Sequence, residues 1–173
     1  MESIPLNHPI SVTVPGAVAG WIELSKKYGN LKIEEILDLG IELCHEGFVI
    51  NEELYNSLTL HKEELSGQAS GYGFYRDNQP FETGKMIRRP QLGKTLEFLK
   101  KNGLEYFYDS DITKSISSSV NGILSYDDLK NFKAEWKKPL HSKIYGFDGW
   151  TSPPSTQGYL TLSTLKAIEM LGT

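Results

Sequence analysis

The sequence predicts a mainly α protein: an orthogonal multi-helix domain with one small β-hairpin near residues 134–150. Three observations support this. Apolar residues recur at helical spacing through most of the 173 residues. The stripes open at prolines or capping residues and stop at glycines. The β signal is confined to 134–136 and 144–150, which flank Pro139. The length suits a single domain over 1–173, and a composition of 39% hydrophobic and 23% charged residues is globular.

In chain order, Pro15 is placed at a first helical position, where its missing N–H costs nothing. Val18, Trp21 and Ile22 follow at helical spacing, with Lys26 and Lys27 in the last turn and Gly29 as a left-handed stop. A second stripe runs through Ile33, Ile36, Leu37, Gly40, Ile41 and Cys44 to Gly47. Asn51 is the expected cap of a third helix carrying Leu54, Tyr55, Leu58 and Leu65. From 66 to 89 glycines and prolines punctuate a long loop whose Tyr72, Phe74, Tyr75 and Phe81 are expected to seal the core. Pro90 opens a helix over 90–102 with Leu92, Leu96 and Leu99 on one face and Gly103 at its end. A shorter helix carries Ile112, Ile116 and Val120, and Ser125 with Asp128 has capping-box spacing. The last helix, about 159–171, is expected to be capped by Ser155 or Thr156. It is apolar nearly all round, which requires burial on every side, so a neighbour is expected to cover it. Trp21, Ile22, Ile36, Leu37, Ile41, Leu96 and Leu99 are the expected core.

Composition and motifs exclude several functions. A net charge of −4 offers no basic excess for nucleic acid, and Lys137-Lys138 and Arg88-Arg89 are too short for a basic patch. No apolar run is long enough to span a bilayer. Glu2 and the absence of a charged-then-apolar start leave no visible signal peptide. Localisation stays open, and a chain complete as it stands would be cytoplasmic. Cys44 is the only cysteine, so no internal disulfide or Cys-rich zinc site is available, and its helical position marks it as core. His8, His45, His61 and His141 have no metal-ligand spacing. Gly71-Tyr72-Gly73 lacks the strand and third glycine of a dinucleotide motif. Asp109-Ser110-Asp111 lacks the remaining acids of a calcium loop and reads as a helix cap. The remaining feature is Pro153-Pro154-Ser155-Thr156-Gln157-Gly158, a turn into a helix whose first amides are free and suited to an anion. Ser155, Thr156 and Gly158 are the candidate substrate-binding residues. No catalytic, metal or cofactor residue is assigned, and no cofactor is expected.

Four segments in order resemble the large subunit of γ-glutamyltransferases (γ-glutamyltranspeptidases), which are N-terminal-nucleophile hydrolases. They are 11–21 with Tyr28-Gly29 and His45-Glu46-Gly47-Phe48; Gly84 through Pro90 and Leu92 to Thr95-Leu96; Gly103 through Gly122 to Asp127-Asp128-Leu129; and Lys138-Pro139-Leu140 through Tyr145-Gly146 to 153–158. Thr156-Gln157 stands where the family has Ser-Gly. The resemblance implies the helical, C-terminal half of a large subunit. It also implies that a freed N-terminal Thr attacks the γ-glutamyl amide with its own amine as base. That Thr begins a Thr-Thr-His signature, which is absent from these 173 residues; Thr151 and Thr173 lack its context. The family's substrate-carboxylate Arg lies upstream of the Val-Pro-Gly segment. The implied partners are therefore the rest of the large subunit and a small subunit bearing the Thr, or a second copy of the chain. The alternative is a stand-alone structural or interaction domain.

Overall fold

The computed structural model describes residues 4, 8–68 and 71–172. Glu2 and Thr173, used above in reading targeting and nucleophile context, lie outside the described residues. The chain forms two compact units, Met1–Ala134 and Glu135–Thr173.

In the first unit, α1 (Ala17–Tyr28) and α2 (Ile33–Glu46) are followed by α3 (Glu52–Leu60) and α4 (Lys62–Leu65). Then come α5 (Pro90–Asn102), a 3-10 turn (Leu104–Phe107), α6 (Asp111–Ser119) and α7 (Tyr126–Lys130). Capping chemistry sets many of these ends. The Asn51 side chain accepts from the Leu54 amide at 2.8 Å. Ser110 and Ser125 each complete a reciprocal capping box, with Thr113 and Asp128 respectively. Pro90 is the first residue of α5, and Gly103 ends it at φ +110. In the second unit, β5 (Leu140–Ile144) and β6 (Phe147–Thr151) form an antiparallel hairpin followed by α8 (Gly158–Leu171). The mainly α fold is thus as expected, with eight α-helices among the described residues.

The core of the first unit centres on Val18, Ala19, Leu37, Leu104 and Tyr108, with Val14, Ile22, Ile41, Leu96 and Phe132 packed around them. Tyr108 carries this region's buried hydroxyl. It donates to the Pro15 carbonyl at 2.7 Å and accepts from the Ala19 amide at 3.1 Å. Burial pushes its pKa up, and the Ala19 amide partly opposes this. Gly16 lies against Phe132, where a Cβ would come 2.9 Å from the ring. These contacts explain the Val-Pro-Gly-Ala segment as the entry to α1. Gly16 is the N-cap, so Pro15 lies one position before the cap and two before Ala17, instead of at the first helical position. Gly29 has φ −70, so it ends α1 in extended and not left-handed backbone. Among the described residues, the most extensive helix–helix packing is that of α2 on α5. Gly93 permits the approach, because a Cβ there would come 3.1 Å from the Cys44 Cβ.

Cys44 is buried, as its stripe implies, and Leu37 and Leu99 are core. Trp21 and Ile36 are not: they are 44% and 52% exposed. The reason is that α1 has two apolar stripes. Val18, Ala19 and Ile22 face the core, while Trp21, Leu24 and Tyr28 form a separate i, i+3, i+7 row. That row meets Ile33 and Ile36 of α2 around an open apolar cleft of about 430 Å³. Trp21→Ala is therefore expected to cost under about 1 kcal/mol in denaturant unfolding. A loss of about 3 kcal/mol or more would place the ring in the core.

The 66–89 loop contains strands too short to leave a pattern in the sequence. β1 (Phe48–Val49) pairs with β4 (Met86–Ile87), and β2 (Tyr75–Arg76) pairs with β3 (Gln79–Pro80). Asp77 and Asn78 join β2 to β3 with φ values of +49 and +61, as a two-residue hairpin turn requires. Phe74, Tyr75 and Phe81 are half-buried, whereas Tyr72 is 78% exposed and does not seal the core. The expected third helix breaks at His61, giving α3 and α4. Residues 134–136 are not a strand: the first strand of the hairpin begins at Leu140.

Candidate functional site

The candidate site is the turn between β6 and α8. Its geometry begins with the hairpin. Tyr145 and Gly146 occupy the two turn positions with φ +48 and +82, so Ile144 pairs with Phe147 and Leu140 with Thr151. The chain leaves the sheet at Thr151 and must bring α8 back onto it. Two glycines allow the approach. A Cβ on Gly149 would lie 2.8 Å from Leu162 Cδ2, and one on Gly158 would lie 1.8 Å from Thr151 Oγ1. Gly158 is thus a steric requirement of the helix start.

Ser155, Thr156 and Gly158 lie together on this turn. The Thr156 hydroxyl is shared between the carbonyls of Ser152 (3.2 Å) and Pro153 (3.1 Å). It turns back toward the Pro-Pro segment and pins it. Neither Ser155 nor Thr156 caps α8. The N-cap is Gln157, with no side-chain cap bond, and its carbonyl accepts from the Leu160 amide at 2.9 Å. The helix begins one residue earlier than expected, at Gly158, and Ser155 is exposed.

Sequence reasoning missed the polar tie at the far end of α8. Glu169 accepts from the Tyr145 amide at 2.6 Å, and Lys166 donates to Glu169 at 2.5 Å and to the Lys143 carbonyl at 2.8 Å. Lys166, followed by the Tyr145 amide, lowers the Glu169 pKa. The Tyr145-Gly146 dipeptide was the available signal for the turn; nothing in sequence linked it to Glu169. A carboxylate with a lowered folded pKa stabilises above its unfolded pKa. That contribution is lost as pH falls through the folded value. Acid unfolding should therefore weaken the hairpin–helix unit below the ordinary glutamate range. Glu169→Gln should flatten that part of the pH–stability curve, and an unchanged curve would remove Glu169 from the tie.

The other sequence candidates have structural partners. His45 pairs with Glu97 at 3.0 Å, His61 with Glu64 at 3.1 Å and His141 with Asp148 at 2.6 Å. His8 accepts from the Ile10 amide. Ser110 caps α6, while Asp109 accepts from the Tyr126 hydroxyl and pairs with Lys130. The Tyr126 bond, then Lys130, lowers the Asp109 pKa. Among the described residues, no group of three or more His, Cys, Asp or Glu side chains is placed to hold a metal ion, and no helix is long and apolar enough to cross a membrane.

The sequence profile described as Gamma-glutamyltranspeptidase matches residues 1–173. The chain belongs to the γ-glutamyltranspeptidase family. It is 31% identical to the capsule biosynthesis protein CapD proenzyme of Bacillus anthracis over 163 residues, covering 94% of this chain and 30% of that protein. It is 26% identical to the glutathione hydrolase proenzyme of Escherichia coli over 149 residues, covering 83% of this chain and 26% of that protein. The crystal structure of the Bacillus anthracis transpeptidase enzyme CapD superposes with a TM-score of 0.84 at 31% identity. It covers 93% of this chain and 56% of that one. The chain thus spans about a third or less of these curated relatives. Of the γ-glutamyltranspeptidase-like segments, the first is the Tyr108-anchored entry to α1 and the last is the Thr156-pinned turn into α8.

Proposed function

We propose that residues 1–173 are the helical, C-terminal half of a γ-glutamyltransferase large subunit and serve as a scaffold for γ-glutamyl transfer or hydrolysis on glutathione-like substrates. The family match over the whole chain carries this reading. It draws support from relatives described as proenzymes, among them glutathione hydrolase. In the reaction implied by the family, a threonine hydroxyl adds to the γ-glutamyl carbonyl and its proton passes to the α-amine. The donor's amine then leaves with a proton, and an acceptor amine or water cleaves the resulting ester. No Thr-Thr-His occurs in these residues, and Cys44, the strongest intrinsic nucleophile here, is buried.

The chain's role in this reading is to position groups. Ser155, Thr156 and Gly158 are the substrate-facing candidates: Ser155 offers an exposed hydroxyl, Thr156 holds the turn and Gly158 lets the helix start approach the sheet. The partner is the segment bearing the nucleophilic threonine together with the rest of the large subunit. Two surfaces support such an association. Along α8, Leu160, Leu165, Met170 and Leu171 are exposed, Met170 to 79%, and the α1–α2 cleft displays Trp21 and Ile36. Patches of this kind mark interaction sites in stable proteins.

The test is anilide release from a γ-glutamyl anilide. The 173-residue chain alone is expected to be silent, and adding the complementary segments is expected to bring activity. Turnover by the purified chain that a Thr or Cys substitution abolishes would overturn the scaffold reading. Failure of the segments to associate would favour a stand-alone interaction domain.

A further inference from the structure

Outside the candidate site, the first unit contains a cleft of about 310 Å³ lined by Tyr72, Arg88, Arg89, Pro90, Gln91 and Leu92. Two adjacent guanidinium groups are too few to hold a nucleic-acid backbone, but they suit one oxyanion. Both are anchored from behind. Arg88 Nε donates to the His45 carbonyl at 3.0 Å, and its Cγ lies where a Cβ on Gly47 would approach to 3.2 Å. The Arg89 guanidinium lies over the Phe74 ring at 4.5 Å, and a Cβ on Gly73 would be 3.6 Å from its Cδ.

These contacts use the stems, one Nε and one ring face. Among the described residues, no hydrogen bond takes the terminal N–H groups of either fork. Among the described residues no carboxylate lies within ion-pair distance of either arginine, although the chain as a whole is acidic. Both guanidinium groups line this cleft, and their anchoring contacts leave less side-chain freedom to be lost on binding an oxyanion. Tyr72, 78% exposed, adds an aromatic wall.

We propose that this cleft binds a phosphate or carboxylate group carried on a planar body that stacks on Tyr72. The proposal is independent of the reading of the 153–158 turn.

The 173-residue chain would be titrated by calorimetry with inorganic phosphate, phenyl phosphate and benzoate at low and high salt. Saturable binding of phenyl phosphate or benzoate that weakens with salt is expected, and the stronger of the two identifies the preferred anion. Arg88→Gln and Arg89→Gln should each weaken it by roughly tenfold, the equivalent of one charge-assisted hydrogen bond. Arg88→Lys should also weaken it, because an ammonium lacks the fork. Tyr72→Ala should weaken the aromatic probes and leave inorganic phosphate unchanged. Circular dichroism of each variant checks that the fold persists, and Arg88→Gln carries the test if Arg89→Gln disturbs the Phe74 contact. Absence of saturable binding by both aromatic probes, or binding equal to wild type in folded Arg88→Gln, would overturn the proposal.

Discussion

Leu99→Ala is expected to lower stability by about 2–5 kcal/mol. The side chain is 2% exposed and sits on the buried face of α5, the helix packed against α2. Removing it discards the transfer free energy of several methyl and methylene groups and leaves a cavity. The helix cannot collapse to fill that cavity, because its N-terminal end is already in close contact with α2 at Gly93. A domain of this size has a total stability of about 5–15 kcal/mol, so the change should appear as a large shift of the urea midpoint. The contrast with Trp21→Ala gives the result its force. The larger ring is expected to matter less than the smaller leucine, since burial and not size sets the cost. A loss under about 1 kcal/mol for Leu99→Ala would contradict the burial of this side chain in the core.

Gly158→Ala is the second large expected effect. The backbone at this position has no left-handed φ that demands glycine. An alanine there would gain up to about 1 kcal/mol from helix propensity if it met nothing. It does meet something: Thr151 Oγ1 at 1.8 Å and Thr151 Cβ at 2.9 Å. A β-branched side chain at the end of a strand cannot swing clear, so α8 must lift from the hairpin. The net cost is expected to be about 1–3 kcal/mol. The mutation should also loosen the 153–158 turn, which is readable as faster amide exchange at Tyr159 and Leu160. Adding Thr151→Ala should recover part of the loss, because it removes Oγ1 but leaves Cβ. Additive effects of the two substitutions would show that the Thr151–Gly158 contact is not the cause.

Both predictions concern contacts that no local pattern contains. By contrast, the sequence alone located α5 from Pro90 to the Gly103 stop, the Asn51 and Ser125 caps and the helical register that buries Cys44. These depend on residues within a turn of one another, and capping is a local interaction. Leu37 and Leu99 were likewise legible, because each lies on the apolar side of an amphipathic helix. Trp21 and Ile36 were misplaced because α1 and the start of α2 are apolar on more than one face. Periodicity then identifies a helix but does not say which stripe faces the core. The β1–β4 pairing was invisible because strands of two residues have no period, and their partners lie far apart in sequence.

The same division applies to the candidate site. Sequence alone brought Ser155, Thr156 and Gly158 onto one turn, since adjacency in the chain guarantees adjacency in space. It could not show that Thr156 turns back to the Ser152 and Pro153 carbonyls, that Gln157 takes the cap, or that Glu169 reaches the Tyr145 amide. Local chemistry offers Ser, Thr and Gln at the start of α8 as competing partners. The close seat of Gly158 on Thr151 sets where the helix begins, and hence which residue precedes it. For this protein, helix identity and family membership were written in short-range spacing and motif order. The face that is buried and the contacts that hold the turn were decided by tertiary packing, because both depend on which surfaces meet.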